Sequence, residues 1–230
     1  MRKFNTVIPS AGIGSRMQSD VPKQYLKLGH QTVIEHTLQQ FLSHPAIDKI
    51  IVVIAPNDSF FRSLSVSSHP RIQIAMGGEQ RADSVMNGLA LVESDWVLIH
   101  DAARPCITHH DIDKLILLAE SNQDGGILAV PVKDTMKRSD NAGLISQTVE
   151  RALLWHAMTP QFFQTQQIMD ALSAALEKGL LITDEASAME FAGYSPKLIM
   201  SRADNIKITV PEDLALAQFI LQQQERYTCV

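Results

Sequence analysis

Ile50-Ile51-Val52-Val53-Ile54-Ala55 is an unbroken apolar run. A strand with one wet face alternates polar and apolar residues. A run without alternation suits a strand covered on both faces, the condition of a parallel sheet between two helical layers. Trp96–Ile99 repeats the pattern, and Phe4–Ile8 and Ile127–Val130 read as further strands. Arg71–Ala75 alternates. Between these runs apolar residues recur at helical spacing: Val33, Ile34, Thr37, Leu38 and Phe41 in Thr32–Leu42, then Val85, Leu89 and Val92 in Ala82–Val92, then Ile112–Ala119. The β-α-β rhythm predicts an α/β fold, a mostly parallel sheet with helices on both faces. The 230 residues fit one such domain with an embellishment, or at most two small ones.

The rhythm breaks at Pro131. Val132–Val149 holds two short segments, Asp134–Lys137 and Ile145–Val149, around Ser139-Asp140-Asn141-Ala142-Gly143. This reads as a hairpin-like excursion, a protruding β-arm over residues 132–150 of a single domain spanning 1–230. It is too small to fold alone, so it packs back or packs on a partner. Beyond it, Phe162–Glu177 is expected to be helical and to end at Gly179, Ala186–Phe191 forms a second helix, and Lys197–Met200 and Ile206–Thr209 are short strands. Thr209-Val210-Pro211-Glu212 has capping-box spacing before a last helix, Glu212–Gln224.

Ligands of open parallel sheets bind outside the carboxyl ends of the strands. After the first strand comes Pro9-Ser10-Ala11-Gly12-Ile13-Gly14-Ser15-Arg16-Met17, continued by Val21-Pro22-Lys23-Gln24-Tyr25. Two glycines let the backbone turn tightly and approach a ligand. Arg16 and Lys23 add cations, and Pro22 restricts the backbone beside Lys23. Bare N–H groups with fixed cations suit a polyphosphate. Met17 occupies the third glycine position of the dinucleotide fingerprint, and no P-loop string is present. Gly12 and Gly14 by themselves are equally a strand-to-helix turn.

Asp101, in His100-Asp101-Ala102-Ala103-Arg104-Pro105, ends a buried strand beside this loop. A carboxylate there suits Mg²⁺, which takes one or two protein carboxylates plus waters and phosphate oxygens. Its other reading is a cap of the turn before Pro105. Asp204 is the natural second ligand, although Asp204-Asn205 is also a turn signal. His109-His110 lacks a third ligand at zinc spacing, and no G-x-S-x-G supports a serine hydrolase. Trp155, Phe162 and Phe163 are expected in the core. The net charge of −5 offers nothing to nucleic acid or to an anionic membrane. No apolar run reaches membrane-spanning length and no signal-peptide stretch opens the sequence. Cys106 and Cys229 form no metal pair by spacing, so a reducing cytoplasm is the expected compartment. The residues together point to a Mg²⁺-dependent, nucleotide-binding α/β enzyme that uses no protein nucleophile.

The glycine-loop string with Pro22-Lys23-Gln24-Tyr25, Arg81-Ala82-Asp83-Ser84-Val85, His100–Pro105, Leu154-Trp155-His156-Ala157-Met158-Thr159-Pro160-Gln161, Thr183-Asp184-Glu185-Ala186 and Ala203-Asp204-Asn205-Ile206-Lys207-Ile208-Thr209 resemble the 2-C-methyl-D-erythritol 4-phosphate cytidylyltransferases. The resemblance spans nearly the whole chain. It implies a Rossmann-like nucleotidyltransferase sheet, CTP and methylerythritol 4-phosphate as substrates, Mg²⁺, and a homodimer joined through the β-arm. It implies that Ser10, Ala11, Gly12 and Gly14 wrap the triphosphate and that Arg16 and Lys23 stabilise charge at the α-phosphate. Gly78, Glu79 and Ser84 are implied to contact cytosine and ribose, with Asp101 and Ala102 on the nucleotide and Asp101 and Asp204 by the metal. Arg104, Thr135, Arg151, Thr159 and Lys207 are implied to hold the sugar phosphate, Arg151 and Lys207 also taking part in catalysis. Ser10 and Glu79 stand where the family often has alanine and aspartate. A sister activity on ribitol 5-phosphate and a catalytically silent nucleotide-binding module are the alternatives.

Overall fold

The computed structural model describes residues 2–12, 17, 21–121 and 124–228, without the side chains of 225–228. Seven strands form the main sheet: β1 (Phe4–Pro9), β4 (Ile47–Ile54), β5 (Ile72–Met76), β6 (Trp96–Ile99), β7 (Gly126–Pro131), β10 (Trp155–Gln164) and β11 (Lys197–Met200). Two short strands, β2 (Lys27–Leu28) and β3 (Gln31–Thr32), pair separately, as do β8 (Met136–Ser139) and β9 (Ile145–Val149). The helices are α1 (Val33–Ser43), α2 (Phe60–Ser63), α3 (Arg81–Leu89), α4 (His109–Ile116), α5 (Thr165–Glu177), α6 (Glu185–Phe191) and α7 (Glu212–Thr228).

The sheet order is β11-β7-β10-β6-β1-β4-β5. Neighbours run parallel except β10, which is antiparallel to both β6 and β7. Val7 sits opposite Ile51 and Ile99. The uninterrupted apolar runs explain themselves here, because successive residues supply two different cores. Ile8, Val52, Ile54 and Leu98 point to the side covered by α1 and α4. Val7, Ile51, Val53, Val97 and Ile99 point to the side covered by α3, α5 and α6. A third, smaller cluster packs α7 through Ala217, Ile220 and Leu221 against Val33, Ala103 and Ile208.

Three expectations need correction. Trp155–Gln164 is a central strand, so α5 starts at Thr165 and not at Phe162. Phe162 and Phe163 are fully buried as expected, one on each side of the sheet. Pro160 hid the strand: proline lacks a ladder donor, and the pairing with β7 shifts register between Ala157 and Gln161. Ile206–Thr209 is not a strand; it is held to the site by the Ile208 N–H on the Ala103 carbonyl, 2.8 Å. At the start of α7 the Asp213 carboxylate accepts from the N–H groups of Thr209 and Val210, at 2.8 and 3.0 Å, and does the capping expected of Glu212.

In the arm, β8 pairs antiparallel with β9, beginning two residues later than expected. Asp140 closes its turn by accepting from the N–H groups of Ala142 and Leu144, and Gly143 takes the left-handed conformation, φ +80°. Almost every arm residue is exposed, including Leu144 and Ile145.

Candidate active site

A cleft of about 230 Å³ opens where β1, β5 and β6 end. Ser10, Ala11 and Gly12 line one wall, and the Ser10 N–H is spent on the Val53 carbonyl at 2.7 Å. Lys23 and Gln24 approach from a single 3₁₀ turn, Lys23–Tyr25. Lys23 Nζ donates to the Ile208 carbonyl at 2.9 Å, tying this turn to the segment that carries Lys207. Gly78, Glu79 and Ser84 form the facing wall. The Gly78 N–H donates to Ser84 Oγ, which donates to the Gln80 carbonyl. The two walls can meet only through glycine: a Cβ on Gly77 would lie 2.5 Å from Ala11 Cβ.

Asp101 lies at the floor. Its Oδ2 receives Lys207 Nζ at 2.8 Å and Arg104 Nε at 3.4 Å, and its Oδ1 faces Arg81 Nη2 at 3.5 Å. Burial alone would raise its pKa, but Lys207, Arg81 and Arg104 hold the carboxyl well below the usual carboxylate range. Arg81 is fixed by both oxygens of the buried Glu185, Nη1–Oε1 2.5 Å and Nη2–Oε2 3.2 Å. Burial works against the charge of Arg81, and Glu185 with Asp101 more than offsets it. Arg104 Nη1 also donates to the Asn205 carbonyl at 2.8 Å.

His100 stands behind this cluster, fully buried, its pKa pushed by burial down to about 4. Its Nε2 faces the Arg104 carbonyl at 3.1 Å and so carries the proton; Nδ1 accepts from Thr159 Oγ1 at 3.0 Å. Thr159 Oγ1 in turn accepts the Asp101 N–H at 3.1 Å. His100 is therefore a neutral support and not a base.

A second cleft joins the first at this floor. Arg81, Asp101 and Lys207 line both, and Arg104, Ala157, Met158, Thr159, Gln161, Thr183 and Asp184 complete the second. Gln161, almost wholly buried, donates to Asp184 Oδ2 at 2.8 Å and accepts the Ala186 N–H at 2.8 Å, locking the start of α6 to β10.

Most of the expected residues meet here: Ser10, Ala11, Gly12, Lys23, Gly78, Glu79, Ser84, Asp101, Ala102, Arg104, Thr159 and Lys207. Gly14 and Arg16 lie outside the described residues. Asp204 is not brought to Asp101: it pairs with Arg202 and lines neither cleft. The turn presents its neighbour instead, since Asn205 Nδ2 donates to the Thr159 carbonyl at 2.9 Å and its backbone accepts Arg104. Among the described residues no group of three or more His, Cys, Asp or Glu could hold a metal. Magnesium needs fewer, and Asp101 is a hard oxygen donor at the place where a polyphosphate would add others. Thr135 and Arg151 are exposed on and beside the arm, and Arg151 donates to the Lys133 carbonyl. Neither lines either of these two clefts. Sequence reasoning assigned no role to Arg81, Gln161, Thr183 or Asp184, although all four lie in the quoted motif strings. Gln24 carries no charge and gave no signal beyond its place beside Lys23.

The chain is similar to known proteins over almost its whole length. The family model of 2-C-methyl-D-erythritol 4-phosphate cytidylyltransferase matches residues 4–223. The protein of that name from Tolumonas auensis is 62% identical over 98% of this chain and 99% of its own. That from Actinobacillus pleuropneumoniae is 56% identical over 96% and 97%. The crystal structure of the Francisella tularensis 2-C-methyl-D-erythritol 4-phosphate cytidylyltransferase is 36% identical and superposes with a TM-score of 0.83, over 95% of this chain and 99% of that one. The Thermus thermophilus structure of the same name is 28% identical, with a TM-score of 0.80 over 96% and 99%. A sheet that ends in a glycine-lined cleft, three cationic side chains gathered on Asp101 at its floor, and a match over almost the full length establish that the chain belongs to the 2-C-methyl-D-erythritol 4-phosphate cytidylyltransferase family.

Proposed function

We propose that this chain transfers the cytidylyl group of CTP to 2-C-methyl-D-erythritol 4-phosphate, giving 4-diphosphocytidyl-2-C-methyl-D-erythritol and pyrophosphate in isoprenoid precursor synthesis. The observation that carries this reading is the shared floor of the two clefts, where Arg81, Lys207 and Asp101 face both. Two anions have to meet in such a reaction, and their repulsion is the first obstacle. The nucleotide lies along Ser10, Ala11, Gly12, Gly78, Glu79 and Ser84, and the sugar phosphate lies beside Arg104, Thr159 and Lys207. An oxygen of the sugar phosphate attacks the α-phosphorus in line, and pyrophosphate leaves. A phosphate monoester has a second pKa of about 6, so the attacking group is already ionised near neutral pH and needs no general base. Lys23 and Lys207, with Arg16 from the family resemblance, offset the charge that builds at the α-phosphate.

Magnesium belongs to this reading. Asp101 is the side chain that would hold it, together with phosphate oxygens of the nucleotide. When bound, the ion neutralises phosphate charge. The work of the chain itself is orientation: Asp101 keeps Lys207, Arg104 and Arg81 in place until the anions arrive.

The arm also belongs to the proposal. An exposed two-stranded ribbon is marginal alone, so we assign it to the partner in a homodimer. Arg151 and Thr135, which line neither of the two clefts described in their own chain, then serve the sugar phosphate of the neighbouring subunit. Among the described residues no helix is long and apolar enough to cross a membrane; the cytoplasm stays part of the proposal on the cysteine usage alone.

Pyrophosphate release from CTP tests the proposal, run with methylerythritol 4-phosphate and with ribitol 5-phosphate, each with and without Mg²⁺. Turnover with the first, dependent on the metal, is expected. Turnover with ribitol 5-phosphate alone would transfer the assignment to the sister reaction. CTP binding without release under either condition would leave a silent nucleotide-binding module.

A further inference from the structure

Gln24 is an uncharged residue, 4% exposed, at the back of the nucleotide cleft. Its side-chain amide spends both N–H bonds on the glycine loop. Nε2 donates to the Ser10 carbonyl at 2.7 Å and to the Gly12 carbonyl at 3.0 Å. Both carbonyl oxygens are thereby turned toward Gln24. The Ser10 N–H goes to Val53, while the N–H groups of Ala11 and Gly12 take no partner among the described residues. A loop that is to receive a polyphosphate needs this arrangement, because a carbonyl oxygen facing the ligand repels it and an N–H attracts it.

Packing does not supply the arrangement at Gly12. Among the described residues no atom beyond its chain neighbours lies within 4 Å of the position its Cβ would take, so none of them walls in that glycine. The hold that the described residues supply there is polar and comes from the Gln24 amide. That side chain has a firm base. The Tyr25 N–H closes the 3₁₀ turn on the Pro22 carbonyl at 2.8 Å. The Tyr25 hydroxyl donates to Asp58 at 2.5 Å, and its ring stacks on Phe60 with centroids 5.4 Å apart. Lys23, Gln24 and Tyr25 thus divide three tasks along one turn: a cation in the cleft, a clamp on the loop, and an anchor in the body of the domain.

We propose that Gln24 is a positioning residue for CTP: it holds the Ser10 and Gly12 carbonyls away from the cleft, and so turns the Ala11 N–H, the donor of the Ser10 peptide, toward the phosphates. The inference rests on the cytidylyltransferase reading of the cleft. It concerns the nucleotide alone, since Gln24 does not line the second cleft.

The experiment compares the wild type with Gln24→Met, which keeps the volume and removes both donors, and Gln24→Glu, which replaces the donors by a carboxylate. CTP affinity is read by titration calorimetry, independently of turnover, and the KM of each substrate by pyrophosphate release. In Gln24→Met the affinity for CTP should fall about tenfold or more, the equivalent of one to two lost hydrogen bonds, with the KM for methylerythritol 4-phosphate within about twofold. Gln24→Glu should be weaker still near pH 7.5 and regain CTP affinity toward about pH 5.5, as protonation returns one donor to a carboxyl facing two carbonyls. The wild type measured over the same range supplies the baseline. A Gln24→Met protein with CTP affinity within about twofold of wild type would overturn the proposal. So would a Gln24→Glu protein without acid recovery, or loss of both substrates' binding in equal measure. Failure of both variants to fold would make Gln24 a core residue and overturn it equally. A wild type that binds CTP without turnover would instead count against the cytidylyltransferase reading and leave the calorimetric comparison intact.

Discussion

Replacing Asp101 with asparagine keeps the shape of the side chain and removes one negative charge from among three cations. The cost follows from what each cation has left. Arg81 retains the bidentate pair with Glu185. Lys207 is 38% exposed at its side chain, so water replaces much of what it loses. Arg104, 10% exposed, retains the Asn205 carbonyl but no counter-charge among the described residues. Stranding one buried charge costs about 3 kcal/mol, the lower end for broken buried pairs because two of the three partners are compensated. For a chain of this size that loss lowers the thermal midpoint by roughly 6–12 °C. The wild-type contribution has the sign of a depressed carboxylate. It is present above the unfolded pKa of about 3.9 and is lost as the pH falls through the lower folded value. The assay is calorimetric melting near pH 7.5, without metal, with and without pyrophosphate. Pyrophosphate should raise the midpoint of Asp101→Asn more than that of the wild type, because it supplies the missing anion to Arg81, Arg104 and Lys207. Activity should fall severely. A variant melting within about 2 °C of wild type would refute the reasoning, since the cations would then need no internal counter-ion.

Lys23→Ala and Arg151→Ala subunits, each inactive alone, should recover at most roughly a quarter of wild-type activity after equal mixing and exchange, since half the dimers are mixed and each mixed dimer keeps one intact site. Proven exchange without recovery would place Arg151 in its own chain. His44 is 2% exposed, and burial lowers its pKa from 6.5 even though Asp113 opposes the shift. The unfolded chain therefore takes up this proton first, and stability should fall as the pH drops below that value, by up to about 1.4 kcal/mol per pH unit. Urea midpoints across this range should be flatter in His44→Gln than in the wild type; parallel profiles would contradict the assignment.

Much of the fold was legible because two-sided burial writes itself into sequence as apolar runs. Trp96–Ile99 and Lys197–Met200 fall where expected to the residue, and Thr32 caps α1 with a capping box completed by Glu35. What failed was non-local. β10 has a proline inside it and an antiparallel place between two distant strands, neither of which local periodicity reveals. The cleft residues were legible where charge or glycine marked them. A carboxylate in a motif says nothing of which way its turn faces: Asp204 pairs with Arg202 outside the two clefts, while Asn205 is fully buried against Arg104 and Thr159. Arg81 was read only as part of a string, since its importance comes from Glu185, 104 residues further along the chain. Gln24 was silent for a simpler reason: a neutral amide reveals its role only when both carbonyls it holds are in view.

The central claim is that the two clefts bring one phosphate of the sugar against the α-phosphorus of the nucleotide. Methylerythritol 4-phosphate labelled with ¹⁸O in its non-bridging phosphate oxygens tests it directly, with ³¹P spectroscopy and mass spectrometry of both products. The account predicts label in the oxygen bridging the two phosphorus atoms of the product and none in the released pyrophosphate. Label in the pyrophosphate, or an unlabelled bridge, would mean that a different oxygen attacks or a different phosphorus is attacked, and would contradict the arrangement drawn around Asp101.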